Sequence, residues 1–128
     1  MDFSLASLPV AFTLIYVPRL VTAVGQSKQP EGLDNKHPRA QQARLTGWAF
    51  RANSAHLNSF ESFAPFAAAV LAARVGGASL ETLSLFAAAH VALRAVYIAL
   101  YLANIDKLRT LAWLLSTAAT VRIFLLAL

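Results

Sequence analysis

The chain has 128 residues, 58% of them hydrophobic and only 13% charged, with a formal net charge of +5. A soluble domain of this size carries about a quarter charged residues, so the composition and the long apolar runs predict an all-α integral membrane protein of one domain. Cysteine is absent, which excludes disulfides, thiolate metal sites and a cysteine nucleophile; the basic residues gather in particular loops, a topology signal rather than a nucleic-acid-binding face.

Four spans are predicted, over about 5–24, 45–75, 80–103 and 111–128. The N-terminal run MDFSLASLPV lacks the positive segment of a cleaved signal peptide and reads as part of a retained first span. Pro9 and Pro18 lie inside that span, where neighbouring helices can satisfy the carbonyls that proline frees. Arg19 is expected to snorkel toward the headgroups. Residues 25–43 form the one long polar segment, with a turn and helix start signalled by Asp34-Asn35 and Pro38.

Span two carries the unusual stretch RANSAHLNSFESFAPF, residues 51–66. On a helix, Arg51, Ser54, Asn58, Glu61 and Pro65 follow one another at steps of three and four and line one stripe. A charged side chain near a bilayer centre costs about 2.5–3.5 kcal/mol on insertion scales, so such a stripe faces protein or a wet cavity. The alanine-rich half after Phe66 suits close helix contact, and Arg74 through Ser79 turns the chain, with Ser79 placed to cap span three.

Span three repeats the pattern with His90, Arg94, Tyr97 and Tyr101. Residues 104–110 read as a short loop holding Asp106, Lys107 and Arg109, and span four is interrupted by Arg122, which is expected to snorkel. Lys28, Lys36, Arg39 and Arg44 in the first loop, with Lys107 and Arg109 in the third, put loops 25–44 and 104–110 in the cytoplasm and both termini outside. Trp48 and Trp113 then mark the same interface.

Antiparallel packing of spans two and three brings the two stripes together. An ion pair between Glu61 and Arg94 is the cheapest way to hold both inside a bilayer. Such a lock needs only that pair, and the further presence of Arg51, Asn58 and two tyrosines favours a cavity with a polar guest. His37, His56 and His90 have no metal-ligand spacing, and packed histidines are expected.

The run Arg51, His56, Asn58, Glu61, Pro65 resembles the second-helix signature of the MAPEG family, the membrane-associated proteins of eicosanoid and glutathione metabolism. Arg94, Tyr97 and Tyr101 resemble that family's third-helix pattern, and the chain looks most like its short bacterial members. The resemblance implies a homotrimer of four-helix bundles in a bacterial inner membrane, with glutathione held between subunits near the cytoplasmic face. It implies a transferase or peroxidase activity on lipophilic substrates that arrive from the bilayer. Arg51, Asn58, Glu61, Arg94, Tyr97 and Tyr101 would bind glutathione, and Arg109 would be catalytic, stabilising its thiolate. Family members that bind glutathione tightly carry basic residues where this chain has Ser54, Leu57 and Gly25-Gln26, with Lys28 the nearest cation. Two other readings remain open: a small multidrug-type exporter coupling protons to cationic drugs through Glu61, and a non-catalytic family member that binds lipid or a partner protein.

Overall fold

The computed structural model describes residues 2–128 and contains five helices: α1 (Phe3–Ser27), α2 (Pro38–Ala43), α3 (Gly47–Val75), α4 (Leu80–Leu102) and α5 (Asp106–Leu125). The four long helices pack on one another, α1 chiefly on α3 and α4 chiefly on α5, while α2 rests at the end where α1 finishes and α3 begins. Three helices, α1, α4 and α5, are long and apolar enough to cross a membrane. Helix α3 is the longest at 29 residues but is not among them. At 1.5 Å per residue it reaches about 44 Å, beyond the roughly 30 Å hydrocarbon layer, and its polar stripe accounts for its lower hydropathy.

The apolar core lies toward the α3–α4 turn. Phe66, Ala69, Val70 and Ala73 of α3 meet Leu83, Ala87 and Val91 of α4 around Ala11 and Ile123. Alanines let these backbones approach, and the large apolar side chains are spent outside: Leu20, Leu85, Leu114 and Leu125 are all exposed. Small residues inside and bulky ones outside is the arrangement that lipid, which offers no hydrophobic drive for helix association, permits. At this end Arg74 pairs with Asp2 at 2.6 Å, tying the close of α3 to the start of α1. Asp2 caps α1 by accepting from Ser4, and those hydrogen bonds, ahead of the charge of Arg74, hold its carboxyl below the usual aspartate range.

The opposite end is closed by amide side chains. Gln26 Nε2 donates to Gln41 Oε1 at 2.9 Å, and Gln41 Nε2 donates to the Gly32 carbonyl at 2.6 Å. Both glutamines are fully buried, so their hydrogen bonds pin the 28–37 segment over the end of α1. Asp34 accepts from the backbone N–H groups of Lys36 and His37, just before Pro38 opens α2. The helix start read from Asp34-Asn35 and Pro38 is present.

Several local expectations are corrected. Arg19 reaches along α1 toward the loop, and there its Nη1 donates to Gln26 Oε1 at 2.8 Å rather than ending free, because α1 continues about two and a half turns past Pro18 and places Gln26 about two turns beyond Arg19. Helix α5 starts at Asp106, so most of the stretch read as loop 104–110 is helical, and the turn proper is Ala103–Ile105 with Asn104 at φ 62°. Ser79 stands at the N-cap of α4 without a side-chain capping bond; its carbonyl accepts the Leu83 N–H instead.

Candidate functional site

The two polar stripes do face each other, and asparagine joins them. Arg94 on α4 is buried, and its Nη2 donates to Asn58 Oδ1 on α3 at 3.0 Å and to Ser59 Oγ at 3.4 Å. Asn58 in turn donates through Nδ2 to Glu61 Oε2 at 3.3 Å. The direct Glu61–Arg94 ion pair expected from the sequence does not form. Among the described residues the ion pairs within 4.0 Å are Arg44–Glu31 and Arg74–Asp2. The reason is register: Asn58, one turn before Glu61, sits opposite Arg94, and the exposed carboxylate of Glu61 points past it. The carbonyl of Asn58 takes the cation's hydrogen bond, and its amide passes the polarity on to the carboxylate.

Two adjoining cavities open from this relay. The first, about 180 Å³, is lined by Asn58, Tyr97, Tyr101, Arg109, Thr110 and Trp113. The second is a groove of about 310 Å³ between α3 and α5, with Asn58, Glu61 and Ser62 toward its polar end and Pro65, Val121 and Phe124 along its apolar wall. Asn58 and Trp113 border both. Pro65 has no N–H to return to the Glu61 carbonyl, so the regular helix hydrogen bond is missing at this point of α3.

The aromatic side chains fix the cations. The Arg94 guanidinium lies 4.2 Å from the Tyr97 ring centroid, and the Arg109 guanidinium lies 4.2 Å from that of Tyr101. The two rings meet edge to face at 5.6 Å. Guanidinium groups stack on aromatic faces while their N–H edges stay available for hydrogen bonds. Arg109 is only half-buried and forms no protein ion pair, so it can present those edges to an anion in the smaller cavity.

Of the seven residues singled out from the sequence, Asn58, Tyr97, Tyr101 and Arg109 thus line one cavity, Glu61 lines the adjoining groove, and Arg94 stands behind them, acting through Asn58. Arg51 lines neither, though its Nε is buried without a protein hydrogen-bond partner. Sequence reasoning missed the α5 wall. Trp113, Thr117, Thr120 and Phe124 stand at steps of four, three and four, the same spacing that revealed the other stripes. Arg122, the charge near the far end of α5, lies on another side of the helix, against Phe86.

The two buried histidines are packing residues. His56 Nδ1 donates to the Ile15 carbonyl on α1 at 2.8 Å, beside the gap that Pro18 leaves in its helix. His90 Nδ1 donates to the Ser116 carbonyl on α5 at 3.0 Å, and its ring stacks on Phe66 at 3.9 Å.

Residues 3–128 match the family model for the MAPEG family. The chain belongs to the MAPEG family. The match takes in essentially every helix described above, so the stripe on α3 and that on α4 are read within one family framework. No curated protein and no solved structure matches the chain.

In this MAPEG protein the residues at 25, 26, 28, 54 and 57 have structural employment. A Cβ on Gly25 would sit 2.4 Å from the Ala49 Cβ, so a larger residue there is refused by the α1–α3 crossing. Gln26 is consumed by Arg19 and Gln41. Ser54 Oγ donates to the Phe50 carbonyl within its own helix, and Leu57 is exposed and apolar. Lys28 lies 5.4 Å from the Trp48 ring centroid.

Proposed function

We propose that this protein is a MAPEG-type membrane enzyme in which Arg109 activates a small thiol, glutathione or a close relative, for attack on a lipophilic electrophile. The observation that carries this reading is the convergence of Asn58, Tyr97, Tyr101 and Arg109, from three helices, on one cavity that shares Asn58 and Trp113 with a groove whose wall is apolar. A thiol has a pKa of about 8.5, and a fixed guanidinium beside it raises its thiolate fraction at neutral pH. The donor set suits a zwitterionic peptide. Glu61 offers a carboxylate to an ammonium, Asn58 offers an amide to peptide groups, and Arg109 and the tyrosine hydroxyls would face the anionic end. The electrophile would lie along Pro65, Val121 and Phe124, entering from the lipid between α3 and α5.

In this reading the four long helices form a four-span bundle, with both termini outside and the 25–44 and 104–110 segments in the cytoplasm. The bundle assembles as a homotrimer that covers the exposed polar side of α3, in a bacterial inner membrane. Glu61 also supports a second reading. It is exposed and without a cationic partner, which is what a proton-coupled exporter needs of its carboxylate. Arg109 and the Arg94 relay beside it repel cationic cargo, which favours the thiol reading.

Calorimetry of the detergent-solubilised protein with glutathione decides among them. Binding, with conjugation of a chlorinated aromatic acceptor that Arg109→Ala lowers at least about a hundredfold, supports the enzyme reading; removing one such charge-stabilising donor typically costs that much. Absence of binding at millimolar glutathione leaves the non-catalytic family member. Drug-resistant growth that depends on Glu61 and a proton gradient supports the exporter.

A further inference from the structure

Behind the groove wall lies a small chamber of about 10 Å³, with Ser59, Ser62, His90 and Arg94 on its polar side and Ala11, Leu14 and Phe63 on its apolar side. That is room for one water molecule and no more. Two features make the chamber polar on purpose. Arg94 is 4% exposed, and while its Nη2 is shared between Asn58 and Ser59, its Nη1 is buried with no protein partner. His90 is 2% exposed and commits its Nδ1 proton to α5, toward the Ser116 carbonyl and Thr120 Oγ1. A carbonyl only accepts, so Nδ1 carries the hydrogen and the other ring nitrogen, Nε2, is left as an acceptor.

We propose that this chamber is a built site for a single water molecule, held by Arg94, His90 and Ser62, and that the water fixes the guanidinium against Asn58. The hydrogen bonds balance. The water accepts from Arg94 Nη1 and donates one hydrogen to His90 Nε2 and the other to Ser62 Oγ. Ser59 takes no further part, because its hydroxyl already donates to the Ala55 carbonyl at 2.8 Å and accepts from Arg94. The result is a continuous chain from Thr120 on α5, through His90 and the water, to Arg94 on α4 and Asn58 and Glu61 on α3. Thr120, Ser62, Asn58 and Glu61 all border the groove, so the chain leaves the groove wall and returns to it through the protein interior. His90 and Ser62 are thereby positioning residues: they act on the site through the water and Arg94. The proposal holds whether or not the groove takes a thiol.

The test is a crystal structure of the full chain at a resolution that shows ordered solvent. A solvent peak about 2.7–3.2 Å from both Arg94 Nη1 and His90 Nε2 supports the site. A clear map with no peak there, or Nη1 turned to another acceptor, overturns it. Solution NMR of protein labelled at arginine supplies a second readout. His90→Phe keeps a ring on Phe66 but removes the acceptor, and should speed Arg94 Nη–H exchange about five- to tenfold, the factor one ordinary hydrogen bond is worth. Should that variant fail to fold, Ser62→Ala removes the other acceptor and should move the exchange in the same direction. Unchanged Arg94 exchange in a folded variant overturns the proposal.

Discussion

At the scale of single residues, Asn58 decides the chemistry. A carboxylate and a guanidinium left to pair directly would neutralise each other and close the space between the helices. Asn58 accepts from Arg94 and donates to Glu61, which gives each group a neutral partner yet leaves the carboxylate facing the groove. Asn58→Leu should therefore destabilise the protein by about 1–3 kcal/mol, because it strips a buried cation of its acceptor. Thermal unfolding in detergent measures this. A cycle with Arg94→Met should show the cost shrinking when the cation is also removed. Arg109 is the opposite case: it is half-buried, stacked on Tyr101 and not part of the relay, so Arg109→Ala should leave the melting temperature nearly unchanged while conjugation is lost.

At the scale of elements, the crossing of α1 and α3 and the loop anchored beside it carry the clearest expectations. Gly25 lets the Ala49 side chain touch the α1 backbone, so Gly25→Val should force the helices apart and lower stability by about 1–3 kcal/mol, the usual penalty for overpacking. Denaturation in mixed micelles reads it. Gln41 is the single side chain that ties α2 to both Gln26 and Gly32. In the same loop, the backbone N–H groups of His37 and Lys36 hold the Asp34 carboxyl below the usual aspartate range. A carboxylate with a lowered folded-state pKa contributes order that is complete above about pH 3.9 and lost as pH falls through its own, lower value. The amide resonances of Lys36 and His37 should accordingly titrate together with a midpoint below that of an ordinary aspartate; a midpoint at or above it would show that the turn is not formed.

At the scale of the whole molecule, the surface is reversed relative to a soluble bundle. Leucine, valine and phenylalanine cover the outside of the four long helices, and alanine, serine, threonine and histidine fill the contacts between them. On the polar side of α3 Glu61 is exposed and Ser54 only half-buried, so the chain's own helices cover that side incompletely. A second copy placed there would shield it from lipid, which is the physical ground for the proposed trimer. Sedimentation in density-matched detergent should give three chains per particle. Single cysteines introduced at 33 and 104 should label from the cytoplasmic side only, if basic loops set the orientation as proposed.

Composition and spacing were enough to read a helical membrane chain, two stripes of polar residues and a likeness to one family. Each of these depends on composition or on spacing along one helix, and spacing along a helix is set by its geometry alone. Register between helices emerged only once they were packed together. A shift of one turn along the α3–α4 contact replaced the expected Glu61–Arg94 pair by a relay through Asn58, left Arg51 outside both cavities, and brought Trp113 and Thr120 of α5 to the groove. Register of that kind is fixed by how alanines such as Ala69 and Ala73 fit against Leu83 and Ala87, and by the hydrogen bonds that His56 and His90 make to the carbonyls of neighbouring helices. Those contacts join residues far apart in the chain, so no pattern within a single helix could have shown them.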